Sequence, residues 1–88
     1  MRRNYDDPVY AQWRMSVYKR DNFTCQMPNC RRKSGLQAHH IRKWSSASIL
    51  RFDVQNGITL CRSCHNEVNG HEEQYEGLFL EIIRGKHG

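Results

Sequence analysis

No apolar run in these 88 residues approaches the roughly 18 needed to span a bilayer, and no basic-then-apolar leader opens the chain. The two absences argue against a membrane protein and against a secreted one, so an intracellular, reducing setting is expected. Internal repeats and low-complexity segments are also missing, which leaves a single small domain over residues 1–88. Acid is in short supply: nine Asp and Glu face fourteen Lys and Arg, for a formal charge of +5. The balance stays basic even when four thiolates hold one zinc ion, and it favours a polyanion partner, nucleic acid first. Core is scarce as well. A chain of this length buries only about 60–65% of its unfolded surface, and domains near this size often take a disulfide or metal staple.

Four cysteines offer that staple. Cys25 and Cys30 form C-x4-C, thirty residues intervene, and Cys61 and Cys64 form C-x2-C. In a reducing compartment close pairs read as zinc ligands; two disulfides are the alternative. Two knuckles separated by a strand-and-turn segment can converge on one tetrahedral ion, and four thiolates close the site against substrate. Such a site would be structural, contributing roughly 10 kcal/mol or more of binding energy to folding.

The rest of the chain is organised around those pairs. Pro8, after the acidic pair Asp6-Asp7, marks a helix start, and Val9, Trp13, Val17 and Tyr18 recur at helical spacing to about residue 20. LQAHHI reads as a short strand with Leu36, Ala38 and His40 on one face. Asn56-Gly57 is a turn signal, and ITLC behind it a second strand. A helix follows from Arg62 or Ser63 and stops at Gly70. A last helix, over about 72–83, has Tyr75, Leu78, Phe79, Ile82 and Ile83 as its apolar stripe.

With all four thiols assigned to zinc, His65 is left over directly behind Cys64, while His39 and His40 sit side by side on the first strand. Neighbours on a strand face opposite ways, so one imidazole of the pair can serve a metal while the other serves a different atom. That division suits metal-assisted hydrolysis, which needs a cation on the leaving-group side and a neutral base near the attacking water. Taken singly, each histidine reads more readily as a surface or core residue; their joint spacing favours chemistry. His71, off the His65 helix face, and His87, in the tail, read as solvated.

The combination of C-x4-C at 25–30, LQAHHI at 36–41 and NGITLCRSCH at 56–65 resembles the HNH endonuclease family. The likeness spans about Tyr18 to Asn69, with a motif core at 25–69. It implies an α+β fold: a small zinc-stabilised ββα-metal domain with flanking helices. It implies that His39 and His65 bind a catalytic divalent ion, that His40 is the general base, and that Asn56 braces the loop that orients the base. In some relatives a third ligand lies one helical turn after the second. Here that position holds Asn69, whose amide oxygen is a weaker ligand than imidazole. Cys25, Cys30, Cys61 and Cys64 take the structural zinc. For the second ion, two imidazoles and open positions suit Mg²⁺, Mn²⁺ or another first-row ion such as Ni²⁺, and nitrogen ligation tilts the choice towards Mn²⁺.

Cations surround the motif. Arg31, Arg32 and Lys33 precede the first strand, Arg42 and Lys43 follow the histidines, and Arg62 lies inside the CxxC turn. Contacts of such groups with phosphates are sequence-independent and salt-sensitive. Trp44 reads as core or as a lid on the strand ahead of a base-stacking platform. With no appended recognition module, the expected activity is nicking of DNA with modest sequence preference, by a monomer or weak homodimer, RNA remaining a second substrate class. The alternative is a non-catalytic, zinc-stabilised nucleic-acid-binding module.

Overall fold

The computed structural model describes residues 8–42 and 52–85, so Asp6, Asp7, Lys43, Trp44 and His87 lie outside the described residues. Helix α1 (Pro8–Arg20), strand β1 (Leu36–His40), strand β2 (Gly57–Cys61), helix α2 (Arg62–Val68) and helix α3 (Glu72–Gly85) follow in order, with a 3-10 turn at Val54–Asn56 leading into β2. The fold is α+β, as the sequence implies.

Helix α1 starts on Pro8, whose fixed φ suits the first helical position. It buries Tyr10, Trp13 and Val17, one stripe at i, i+3 and i+7. Val9, expected in that stripe, is 49% exposed. Tyr10 takes the first-turn place instead, its ring centre 5.8 Å from that of Trp13. The helix ends in a Schellman motif: Phe23 N–H donates to Tyr18 O and Asn22 N–H to Lys19 O. Asn22 carries the left-handed φ of 59° that the motif requires, and Phe23 closes over Tyr18 with ring centres 6.1 Å apart.

The strands pair antiparallel, from Leu36 opposite Cys61 to His40 opposite Gly57. Residues directly opposite share a face, so the register fixes what each side of the ribbon meets. Ile58 and Leu60 pack on the α2–α3 side with Val68, Phe79 and Ile83. The other side meets α1: Ala38 packs against Trp13 and its neighbours, and Thr59 Oγ1 donates to Val17 O. Leu36, expected on the Ala38 face, packs with the cysteine cluster; the twist of a short ribbon turns its end residues away from the middle ones. Every residue of β2 is buried, because helices cover both its faces.

Asn56-Gly57 does not form a hairpin turn. Gly57 has an extended φ of −127°, and its lack of a side chain serves packing. A Cβ there would lie 2.6 Å from both Trp13 Cζ2 and Val17 Cγ2. The turn ahead of it is locked from α1. Arg20 Nη1 donates to Val54 O at 2.7 Å and Nη2 to Gly57 O at 2.6 Å. The same guanidinium forks onto the Asp21 carboxylate at 2.8 Å, and Asp21 Oδ2 accepts from Thr59 N–H. Sequence showed only an adjacent charged pair here; the fold buries it and uses it to bracket Asn56.

On the far side, Tyr75, Phe79 and Ile83 form the inner line of α3, with Leu80 and Ile82 beside it. Leu78, placed in that stripe by spacing alone, is 38% exposed. It sits about 100° round the helix from Phe79. Among the described residues no helix is long and apolar enough to cross a membrane.

Candidate active site and metal centre

The four cysteines converge. Their sulfurs all lie within 4.8 Å of one another, and Cys30 Sγ is 3.8 Å from Cys61 Sγ. A zinc–sulfur bond of about 2.3 Å in tetrahedral geometry separates neighbouring sulfurs by about 3.8 Å. The cluster therefore has the dimensions of a metal site, and all four cysteines are free. Local backbone builds it. Pro28 and Asn29 sit at the centre of a tight turn closed by Cys30 N–H to Met27 O, with Asn29 at φ 68°. Cys61 ends β2 and caps α2, its sulfur accepting from Cys64 N–H at 3.5 Å. That hydrogen bond is the main reason the Cys61 thiol is lowered to about 7. Burial pushes the Cys25 and Cys64 thiols up.

At the other end of the hairpin the two adjacent histidines part. His39, opposite Ile58, turns to the α2–α3 side, where its ring centre lies 5.6 Å from that of His65 and 5.8 Å from that of Phe79. Two imidazoles on one ion, each nitrogen about 2.1 Å from it, place their ring centres about 5 Å apart. The His39–His65 pair is close to that spacing. His39 is 7% exposed, and its Nε2 is a buried nitrogen with no hydrogen-bond partner. Burial, with His65 nearby, lowers its pKa to about 4; Glu72, half-buried in the first turn of α3, acts in the opposite sense. The ring is thus neutral at pH 7, with a lone pair to offer.

The sign of that shift gives a stability prediction. Between the ordinary value of 6.5 and about 4, the unfolded chain binds a proton that folded His39 refuses. Stability is therefore complete above pH 6.5 and falls as pH drops through this window, by about 3 kcal/mol in all. Urea midpoints from pH 7 to pH 4 should show this component in the wild type and lose it in His39→Gln.

His40 turns the other way, stacked on Trp13 with ring centres 4.2 Å apart and planes 10° from parallel. Asn56 is 4% exposed and fastens the chain just past the pair: its Oδ1 accepts from Arg42 N–H and its carbonyl from Ile41 N–H, each at 2.9 Å. Asp53 caps the turn beneath, Oδ1 accepting from Gln55 N–H. Asn69 is the exposed cap at the end of α2, with its backbone N–H bonded to His65 O.

The cations divide between the two ends of the hairpin. Arg31, Arg32 and Lys33 are exposed at the cysteine end, and Lys33 donates to Thr24 Oγ1. Arg62 is exposed near them, its Cβ 3.9 Å from where a Gly35 Cβ would stand. Arg42 lies at the histidine end, half-exposed and 3.8 Å from Glu76. Five strand residues separate the groups, about 13 Å. The Trp13 stack, Glu72 and the Arg20–Asp21 clamp escaped sequence reasoning; each joins residues remote in the chain, with no local spacing to betray it.

The family described as HNH endonuclease matches residues 25–70. No curated protein and no solved structure matches the chain.

Proposed function

The chain belongs to the HNH endonuclease family, and from that premise we propose that it is a divalent-metal-dependent endonuclease that nicks DNA. The observation that carries the reading is the buried, unpartnered Nε2 of His39 beside the His65 ring. A buried nitrogen without a partner costs stability, and a cation shared with His65 would repay that loss. In this reading His39 and His65 hold a Mn²⁺ or Mg²⁺ ion, and the four cysteines hold a structural Zn²⁺. Asn69 stands one turn beyond His65, at the position where some relatives carry a third ligand. The bound divalent ion supplies charge stabilisation at the scissile phosphate and the leaving oxygen.

The chain's own residues supply the rest. In this reading the sugar–phosphate strand runs past the His39–His40 end of β1. His40 takes the proton of the attacking water as a general base. Asn56 holds the backbone of residues 41 and 42, and so fixes where β1 ends and where His40 stands. Arg42, Lys43, Arg31, Arg32, Lys33 and Arg62 contact phosphates without reading bases.

The test is relaxation of supercoiled plasmid. With Mn²⁺ or Mg²⁺ the protein should yield open circles before linear DNA, more slowly as salt rises, and chelation should stop it. Salt-sensitive binding of DNA with no cleavage under any divalent ion would identify the non-catalytic module instead. Preferential cutting of a structured RNA would reassign the substrate.

A further inference from the structure

Trp13 lies outside the family match and was legible in the sequence only as a core residue. Among the described residues its contact with His40 is unlike the other aromatic contacts of α1: face to face at 4.2 Å and 10°, where Tyr10 meets Trp13 tilted at 36°. We propose that Trp13 is a positioning residue for His40, a fixed platform that sets the plane of the imidazole that takes water's proton. The inference rests on the reading of His40 as the general base.

The platform is itself held on three sides. Trp13 is 2% exposed. Its Nε1 donates to Asp53 O at 2.8 Å, in the segment that leads to Asn56. Gly57, opposite His40 in the ladder, has no Cβ, and one would lie 2.6 Å from the indole. The indole plane is therefore set by α1, by the turn and by the absence of a side chain on β2.

His40 needs such a plane. It is the last residue of β1 and half-buried, and the χ2 torsion of a histidine is broad, with no sharp staggered wells. Rotation about that torsion carries the ring nitrogens to different places. Stacked flat on a fixed indole, the ring keeps one plane. Its nitrogens, which lie in that plane, then point past the edge of the indole and never into its face. A proton acceptor held in one plane avoids the loss, of order 100-fold, that misplacement by about 1 Å brings.

The experiment compares ring-bearing and ringless replacements in the full chain, under multiple turnover with Mn²⁺ and a duplex oligonucleotide. Trp13→Phe should keep kcat within about threefold of wild type. Trp13→Leu should lose about tenfold or more in kcat with KM within twofold, while retaining zinc and a cooperative melt; Trp13→Met makes the same comparison if the leucine variant does not fold. A second readout uses the wild type alone. The carbon-bound ring protons of His40 should resonate upfield of those of a free imidazole, because they lie over the indole. A folded ringless variant with kcat within twofold of wild type, a folded Trp13→Phe as impaired as Trp13→Leu, or His40 shifts equal to free imidazole would each overturn the proposal. The base reading fails separately, by His40→Ala cutting at the wild-type rate.

Discussion

His40→Ala should lower the rate of plasmid nicking by roughly 10²–10⁴-fold, the usual contribution of a positioned general base, while the protein keeps its zinc and its melt. The asymmetry between the two neighbouring histidines makes this a sharp expectation. His39 is buried against His65 and Phe79, so its truncation removes core contact and its pairing with His65 together. His40 is half-buried and stacks on Trp13, so its truncation removes that stack and leaves the α2–α3 core and the cysteine cluster in place. Loss of cleavage without loss of stability is the signature of a residue that acts on substrate. On the proposed reading of His65 as a metal ligand, His65→Ala should also lose cleavage, but added Mn²⁺ should recover part of it, whereas no metal concentration restores His40→Ala. Equal conversion of supercoiled to open-circular DNA by wild type and His40→Ala would sink the assignment of the base.

The elements themselves were legible because local signals agree. Pro8 opens α1, the Pro28-Asn29 dipeptide turns between the first two cysteines, and the 75–79–83 spacing finds the inner line of α3. Where the sequence misled, a contact between remote segments outweighed a local rule. Asn56-Gly57 carries the signature of a hairpin turn, yet Gly57 is extended. It is a glycine because Trp13 and Val17, some forty residues earlier, occupy the space a side chain needs. Val9 and Leu78 have helical spacing from buried residues, but a ribbon of two strands covers only a narrow stripe of each helix, and both remain exposed. The candidate site divides the same way. Spacing and the family resemblance singled out His39, His40, Asn56 and His65 and set the two neighbouring histidines on opposite faces, but they did not say which helix each would meet. That His39 turns towards α2 and α3 while His40 lies on α1 follows from the register, in which they oppose Ile58 and Gly57 respectively.

Cys61→Ser should cost the domain its zinc and its fold, the largest stability effect expected of any single substitution here. Structural zinc contributes roughly 10 kcal/mol or more, and a small domain has only about 5–15 kcal/mol of stability in total. Cys61 is the informative position because it has two separable tasks. Its sulfur belongs to the four-sulfur cluster, 3.8 Å from Cys30, and it also caps α2 by accepting from Cys64 N–H. Serine is a good N-cap, so the substitution preserves the second task and removes only the first. Far-ultraviolet circular dichroism and zinc content should therefore collapse together in Cys61→Ser, and a strong chelator should do the same to the wild type. Acid should act in the same direction, because thiolates that bind metal must be deprotonated and protons compete for them. His65→Ala is the control that separates the two centres. Its side chain stands one residue beyond Cys64 yet lies against His39, so the variant should keep one zinc per chain and a cooperative melt. If His65→Ala unfolds as Cys61→Ser does, the cysteine cluster and the histidine pair are one metal site, and the division between a structural and a catalytic ion falls.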